Sequence, residues 1–289
     1  MDQNQAFLIH SAHASLSSNP DLTIMYTRFQ LAKKYLHYYF TAANAKGHGV
    51  HSPFVFSFIK NVLRDTTRYP EYAAIEARRR GLLENKTVIE VEDFGAGSVT
   101  LKSKRRVVRD IARSSLKPAK FAQLLYRIAR HYEPQAIIEL GASLGITTSY
   151  LALGNKQAKV YTCEGAASIA SLAKQGFNEL QIKNIELLQG DFTKTLPALL
   201  NNVKQVDLVF VDGNHRKQPT IDYFHQLLEV SHDKTMLIFD DIHWSEEMEA
   251  AWAEIQQHPK VTLTIDLFFI GLVIVDPGIK VKQLFTIRF

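Results

Sequence analysis

The spacing of hydrophobic positions changes near Pro134, and this change divides the sequence into two parts. Before Pro134, apolar residues recur mainly at helical spacing, for example at Leu31, Tyr35 and Tyr38. This pattern predicts helices over 21–45, 53–64, 71–80 and 104–130, the last broken at Pro118. An alternating run over 88–98 predicts a strand that closes in a glycine turn.

After Pro134, short apolar runs alternate regularly with amphipathic segments. The predicted strands cover 136–140, 159–163, 185–188, 206–211 and 236–239, with helices between them and at 246–257. The final strand-like runs, 263–269, 272–275 and 284–288, lack long helices between them, which favours an antiparallel hairpin at one sheet edge. The fold class is therefore α/β, a doubly wound, mostly parallel sheet covered on both faces. We expect a mainly helical extension over 1–118 and the sheet domain over 119–289.

Composition indicates which class of protein and which cellular compartment to expect. The chain has 289 residues, of which 46% are hydrophobic and 22% are charged, as in ordinary globular proteins. Its one cysteine, Cys163, excludes an intrachain disulfide. The first residues lack the charged and apolar regions of a signal peptide, and the longest apolar run, 267–275, is too short to span a bilayer. We therefore expect a cytoplasmic protein with no membrane partner.

The positive charge is concentrated in the first part of the chain. The first 130 residues carry 21 Lys and Arg against 10 Asp and Glu, although the net charge of the whole chain is only +5. Such a basic half can attract nucleic acid or another anionic partner. A solvated helical surface explains the same charges, because they are dispersed along the sequence.

A glycine turn follows the first strand of the second part, over residues 137–145. Gly141 and Gly145 allow a tight turn, and the next helix offers its free N–H groups to a carboxylate or a phosphate. In a doubly wound sheet, this is where ligands bind. The glycines also fit a plain structural turn.

Acidic residues end the strands that follow. Glu164 lies 23 residues after Gly141, where an acid can accept hydrogen bonds from both ribose hydroxyls of a cofactor. Asp191 and Asp212 end the next two strands. Ser143 stands where a dinucleotide fingerprint requires glycine, so the turn favours S-adenosylmethionine over NAD.

A second glycine turn, over 93–98, has no acid-ended strand at the expected distance after it. We therefore reject it as the cofactor loop. A lid over the cleft and a structural hairpin both remain open for it.

The motif over 139–152 resembles the first motif of class I S-adenosylmethionine-dependent methyltransferases, in particular the small-molecule O-methyltransferases of the catechol and caffeoyl-CoA type. The resemblance covers about residues 119–289. It implies a Rossmann-like, seven-stranded sheet whose reversed last strand is 284–289. The region 45–130 resembles the N-terminal part of a bacterial branch of these proteins.

The resemblance also implies roles for single residues. Those expected to line the cofactor are Glu139, Gly141, Ser143, Gly145, Glu164, Asp191 and Asp212. In the catechol type, acids at the positions of Asp212, Asp240 and Asp241 bind a divalent metal, so Mg²⁺ or another divalent cation is an expectation here. This chain has Asp241 where that family has Asn, and His215 where it has Lys.

Methyl transfer from a sulfonium to an alcohol requires the acceptor to lose a proton. Histidine can take that proton near neutral pH. We expect His215 and Asp212 to be the catalytic pair, with His215 as the base, although a structural hydrogen bond would also explain this loop histidine. His243 and Trp244 either line the acceptor pocket or serve in packing.

Three functions remain open at this point. A small-molecule O-methyltransferase is the leading one, an RNA methyltransferase is second, and a non-catalytic scaffold with the cofactor fold is third. An NAD oxidoreductase is a weaker fourth. A homodimer is also compatible with the sequence.

Overall fold

The computed structural model describes residues 25–43, 51–93 and 102–289. The first described part is mainly helical, as the sequence predicts. It contains α1 (Arg28–Thr41), α2 (Pro53–Phe58) with a π-helical turn (Ile59–Leu63) directly after it, and α3 (Pro70–Glu84). Proline stands at the start of both α2 and α3, where its missing N–H costs no helical hydrogen bond.

A two-stranded antiparallel sheet follows these helices. β1 (Val88–Asp93) pairs with β2 (Lys102–Val107), and α4 (Val108–Ser115) continues directly from β2. The prediction of helix from residue 104 was therefore wrong at its start. Residues 104–106 are exposed and charged, so no apolar alternation marks them as a strand. The glycine turn predicted at 93–98 lies outside the described residues apart from Asp93, which ends β1.

The second part alternates strands and helices in the predicted order. Its elements are α5 (Ala119–Tyr132), β3 (Ala136–Leu140), α6 (Ile146–Gly154), β4 (Lys159–Glu164), α7 (Ala167–Glu179), β5 (Ile185–Gln189), α8 (Phe192–Leu200), β6 (Val206–Val211), α9 (Lys217–Glu229), β7 (Ser231–Asp240), α10 (Glu246–Gln257), β8 (Leu263–Asp266), β9 (Ile270–Ile274) and β10 (Gln283–Thr286). The break between α4 and α5 falls at Pro118, as predicted.

These strands form an eight-stranded sheet in the order β10-β8-β9-β7-β6-β3-β4-β5. Only β9 runs against its neighbours, and β10 is parallel to β8. The α/β class and the hairpin (β8–β9) are confirmed. The count of seven strands was wrong, and so was the choice of 284–289 as the reversed strand. The end of the chain adds an eighth strand at the edge, beyond the hairpin.

Alternate residues of the central strands feed two hydrophobic cores, one on each face of the sheet. Ile137 and Phe210 pack on the face covered by α5, and Ile138 and Val209 pack on the face covered by α9 and α10. A third core joins α3 and α4 to α5 and α6, so it contains residues from both sides of Pro118. Among the described residues, no helix is long and apolar enough to cross a membrane.

Strand order reverses between β3 and β6, because the chain passes outward from β3 to β4 and β5, and then returns to β6 on the other side. In doubly wound sheets, ligands bind at this switch point, beyond the carboxyl ends of the strands. Gly141 and Asp212 directly follow β3 and β6, so both lie at this position.

Candidate active site

The glycine turn after β3 is packed so closely that side chains at two positions would collide with their surroundings. Gly141 has φ +103°, and a Cβ there would lie 2.0 Å from the carbonyl oxygen of Asp212. Gly145 has φ +78°, and its Cβ would lie 2.7 Å from the Phe177 ring. The backbone N–H groups of Gly141 and Ala142 both donate to the carbonyl oxygen of Cys163. This fixes the turn to the ends of β4 and β6.

Glu164, at the end of β4, lies directly against this turn. Its Oε2 accepts from the backbone N–H of Ser143 at 2.8 Å, and its Oε1 accepts from that of Ala166 at 3.0 Å. Each carboxylate oxygen keeps lone-pair capacity for a further donor. Burial raises the pKa of Glu164, and the hydrogen bonds from the backbone oppose that rise. The carboxylate is thus held beside the turn, where a ribose was expected.

Glu139 lies beneath the turn, with no exposure to solvent. Its Oε2 accepts from the hydroxyls of Thr148 at 2.5 Å and Thr162 at 2.6 Å. Its Oε1 is buried with no hydrogen-bond partner among the described residues. Burial raises its pKa to about 8 despite the two hydroxyl donors. The structure therefore ties Glu139 to α6 and β4, and its contact with a cofactor remains a prediction.

Asp191 is the N-cap of α8. Its Oδ1 accepts from the backbone N–H of Thr193 at 2.9 Å, a common use of Asp at a helix start. The side chain is partly buried at the same edge of the sheet as Glu164. Its predicted role near an adenine remains a prediction.

Asp212, His215 and Asp240 converge beyond the ends of β6 and β7. Each offers one ligand-type atom, and these atoms all lie within 4.8 Å of one another. His215 Nε2 lies 3.5 Å from Asp212 Oδ1. Asp241, the third acid of the expected metal set, does not belong to this group. Asn214 and His215 both have positive φ, +68° and +27°, and such backbone strain is concentrated at functional sites.

Lys117 also reaches this group, although no pattern in the sequence predicts it. Its ammonium contacts Asp240 Oδ2 directly and lies 3.6 Å from Asp212 Oδ2. Lys117 belongs to the connector between α4 and α5, nearly a hundred residues before Asp212 in the chain. No local spacing links such distant positions, so the sequence offered no signal for it.

The charges of this group shift one another's protonation. Burial pushes the pKa of Asp212 up, but Lys117 and His215 outweigh it and hold that pKa well below its usual range. Burial and the carboxylates of Asp212 and Asp241 raise the pKa of Asp240. Burial lowers the pKa of His215, but its acidic neighbours prevail and raise it to about 9. The imidazole therefore carries a proton at neutral pH.

His243 is fully engaged within the fold. One ring nitrogen lies 2.9 Å from Glu249 Oε1 and the other lies 2.8 Å from Asp266 Oδ2. The Trp244 carbonyl accepts from the backbone N–H of Tyr26, and its ring packs beside α1. These contacts favour the packing role for both residues over the acceptor pocket.

Comparisons with known proteins concern the central segment of the chain and its fold. Residues 138–242 match the model of a family described as a methyltransferase domain. A 76-residue stretch is 38% identical to a tRNA (guanine-N(7)-)-methyltransferase of Mycoplasma mobile. That stretch covers 26% of this chain and only 38% of the relative's length.

Solved structures of methyltransferases share the fold. The O-methyltransferase of Bacillus cereus in complex with SAH is 17% identical, with a TM-score of 0.52, over 76% of this chain and 97% of its own. A putative O-methyltransferase of Klebsiella pneumoniae is 16% identical, with a TM-score of 0.52, over 74% and 94%. The SAH-bound methyltransferase of Podospora anserina is 10% identical, with a TM-score of 0.54, over 91% and 100%.

At these identities the structural likeness establishes the fold alone. The chain has the fold of these class I methyltransferases, and its central segment 138–242 matches the methyltransferase-domain family.

Proposed function

We propose that this protein is an S-adenosylmethionine-dependent methyltransferase that methylates an oxygen of a small-molecule acceptor. The observation that carries the proposal is the placement of Glu164 against the glycine turn at the switch point of the sheet. Gly141 and Gly145 let the turn pack directly against Asp212 and Phe177, which holds its backbone beside the Glu164 carboxylate. The residues present therefore fit the cofactor.

In this proposal Glu164 binds the ribose hydroxyls, and the turn from Gly141 to Gly145 receives the methionine end. S-adenosylmethionine, when bound, supplies the methyl group. Asp191 lies near the adenine. These assignments rest on the position of the residues at one sheet edge, together with the resemblance of the motif.

The acceptor would lie beyond β6 and β7, beside Asp212 and His215. Holding acceptor and methyl donor in line can supply about 7–11 kcal/mol of the barrier reduction. His215 is our candidate for the group that takes the acceptor's proton, and Asp212 orients its ring. Only the neutral form of His215 can do so, and since its pKa is raised to about 9, that form increases as the pH rises toward this value. The residues here do not fit a divalent cation, because Lys117 lies against the same carboxylates.

An RNA acceptor is the second candidate. The partial similarity to a tRNA methyltransferase and the excess of Lys and Arg in the first 130 residues favour it. The O-methyltransferases that share the fold favour the small molecule. A cytoplasmic location and a homodimer remain predictions.

Labelled methyl transfer separates these candidates. The protein is incubated with S-adenosylmethionine labelled in its methyl group, a panel of phenols and alcohols, and total tRNA. Label in the small-molecule fraction is the expected result. Label in the RNA fraction alone would move the RNA acceptor to first place, and bound cofactor without any transfer would favour the non-catalytic scaffold.

A further inference from the structure

The connector between α4 and α5 places Lys117 rigidly at the acidic group. Pro118 follows it and restricts its backbone to extended conformations. Arg79, on α3, donates from Nη1 to the Lys117 carbonyl oxygen at 2.7 Å, and its own Nε donates to Glu76 Oε1 at 3.0 Å. Arg79 is buried, so this anchor belongs to the protein interior. Two residues of α3 therefore hold the backbone of the connector at Lys117.

The ammonium of Lys117 lies in an enclosed acidic environment. Only 9% of the Lys117 side chain and 2% of the Asp240 side chain are exposed to solvent. Its nitrogen contacts Asp240 Oδ2, lies 3.6 Å from Asp212 Oδ2, and stands 5.6 Å from the centre of the Phe210 ring. Burial lowers the pKa of Lys117, but the three acids around it outweigh burial and raise that pKa, so the charge is retained.

A divalent cation would need the same space. Mg²⁺ and Ca²⁺ bind carboxylate oxygens at about 2.0–2.6 Å, and one oxygen of each of Asp212 and Asp240 already faces the Lys117 ammonium. An ion at Asp212 and Asp240 would also lie beside a fixed positive charge. The ligand-type atoms converge as in a metal site, but their negative charge is already compensated by the protein.

The pair of Lys117 and Asp240 is not fully satisfied by the protein. Asp240 Oδ1 is buried and has no hydrogen-bond partner among the described residues. An unpaired buried carboxylate oxygen is costly, and a donor from a bound ligand would remove that cost. This observation is independent of the Lys117 contacts and indicates that a ligand is received here.

We infer that Lys117 is the resident cation of the Asp212–Asp240 site, that it takes the place of a divalent metal, and that the protein works without one. Lys117 is thereby a positioning residue that holds the two carboxylates in place beside the acceptor. The position of the carboxylates beside an acceptor rests on the proposed function, whereas the presence of Lys117 at the cation position does not depend on it.

Titration with Mn²⁺ tests the inference without any need for a methyl acceptor. Mn²⁺ is suited to carboxylate ligands such as those of Asp212 and Asp240. We expect no saturable Mn²⁺ binding to the wild-type protein. We expect the Lys117→Ala variant to gain an Mn²⁺ site with a dissociation constant on the order of 1 mM or tighter. A double variant that also carries Asp240→Asn should lack this site. Lys174→Ala, at an exposed position on α7, is the control and should gain nothing.

Two results would overturn the inference. One is saturable Mn²⁺ binding to the wild type that Asp240→Asn abolishes. The other is a folded Lys117→Ala variant that gains no Mn²⁺ site. If that variant does not fold, Lys117→Met replaces it, and the wild-type titration stands on its own. Titration of the same samples with S-adenosylmethionine shows separately whether the proposed function fails.

Discussion

Gly141 is the residue at which the backbone of the turn and the end of β6 come closest. Gly141→Ala would require a Cβ 2.0 Å from the Asp212 carbonyl oxygen, at a φ of +103° that alanine rarely adopts. We expect the turn to shift and cofactor affinity to fall at least about tenfold, equivalent to about 1.4 kcal/mol. Calorimetric titration with S-adenosylmethionine measures this.

Gly81→Ala is the matched control for this substitution. Gly81 lies within α3 with open space around its Cβ position, so alanine should stabilise that helix by up to about 1 kcal/mol and leave affinity unchanged. Equal affinity of Gly141→Ala and the wild type would show that the turn does not hold the ligand.

Glu139 gives the folded protein a specific pH dependence. Its pKa is raised from 4.5 to about 8 by burial, so the folded state keeps the proton between these values while the unfolded state releases it. The free energy of unfolding should therefore fall with rising pH across this window, by up to about 1.4 kcal/mol per pH unit from this group.

Denaturant unfolding of Glu139→Gln between pH 5 and 8 tests this dependence. The slope due to Glu139 should disappear in the variant, whereas Glu84→Gln, at the exposed end of α3, should keep it. An unchanged slope in Glu139→Gln would contradict the buried, proton-binding state of this carboxyl.

His215 carries the proposed proton transfer. Its replacement by Gln removes a group that contributes typically about 10²–10⁴-fold to such a step. We expect methyl transfer to fall by that order while the affinity for S-adenosylmethionine stays within about twofold, because Glu164 and the glycine turn are untouched. Full activity of His215→Gln would sink the assignment of the base.

Sequence reasoning at this scale found the acids that end strands, because each follows a recognisable apolar run. It could not find Lys117, whose partners are brought to it only by the tertiary fold. It also gave no signal that His243 is held between Glu249 and Asp266, since these residues come from two further elements.

At the scale of elements, a partly buried polar network joins α1 to the body of the protein. Glu249 lies on α10. Its Oε2 accepts hydrogen bonds from the Tyr26 hydroxyl at 2.6 Å and from the Lys34 ammonium at 2.9 Å. The same carboxylate contacts His243, whose other ring nitrogen faces Asp266 on β8. The charged form of His243 therefore lies between two acids, with Lys34 beyond one of them.

This network predicts a second pH effect, with a sign that follows from His243. Burial lowers the pKa of His243, but Asp266 and Glu249 outweigh it and raise that pKa above its ordinary value of 6.5. The stabilisation is thus complete below about pH 6.5 and is lost as the pH rises through the raised, folded-state pKa.

Protease sensitivity near α1, followed against pH, measures the effect at this element. We expect cleavage around residues 25–43 to increase as the pH rises past the folded-state pKa of His243 in the wild type, and to be independent of pH in His243→Gln. His232→Gln is the control, since His232 lies at the start of β7 beside Asp207, away from α1. If cleavage of the wild type did not depend on pH, this would contradict the role of the network in holding α1.

Element boundaries followed local chemistry where it was strong. Pro118 ended one helix and began another as predicted, and β3 and β6 matched their apolar runs. β2 was missed because its exposed, charged residues lack alternation, and its pairing with β1 supplies what the local pattern does not.

At the scale of the whole molecule, the sequence predicted the class of fold because strands and helices alternate with clear periodicity. The strand order and the parallel pairing of β10 at the edge could not be read from it, although the strand itself was predicted, since pairing between strands distant in sequence leaves no local pattern. The site follows from the topology: the reversal between β3 and β6 brings Gly141, Glu164 and Asp212 to one edge.

The binding of S-adenosylmethionine at this edge is the central claim, and calorimetry tests it most directly. The purified protein, freed of bound ligand, is titrated with S-adenosylmethionine and separately with NADH, beside Glu164→Gln and the exposed control Glu186→Gln. We predict binding of S-adenosylmethionine alone, weakened at least about tenfold by Glu164→Gln and unchanged by Glu186→Gln. Binding of NADH, or no binding of S-adenosylmethionine to the folded wild type, would contradict the account.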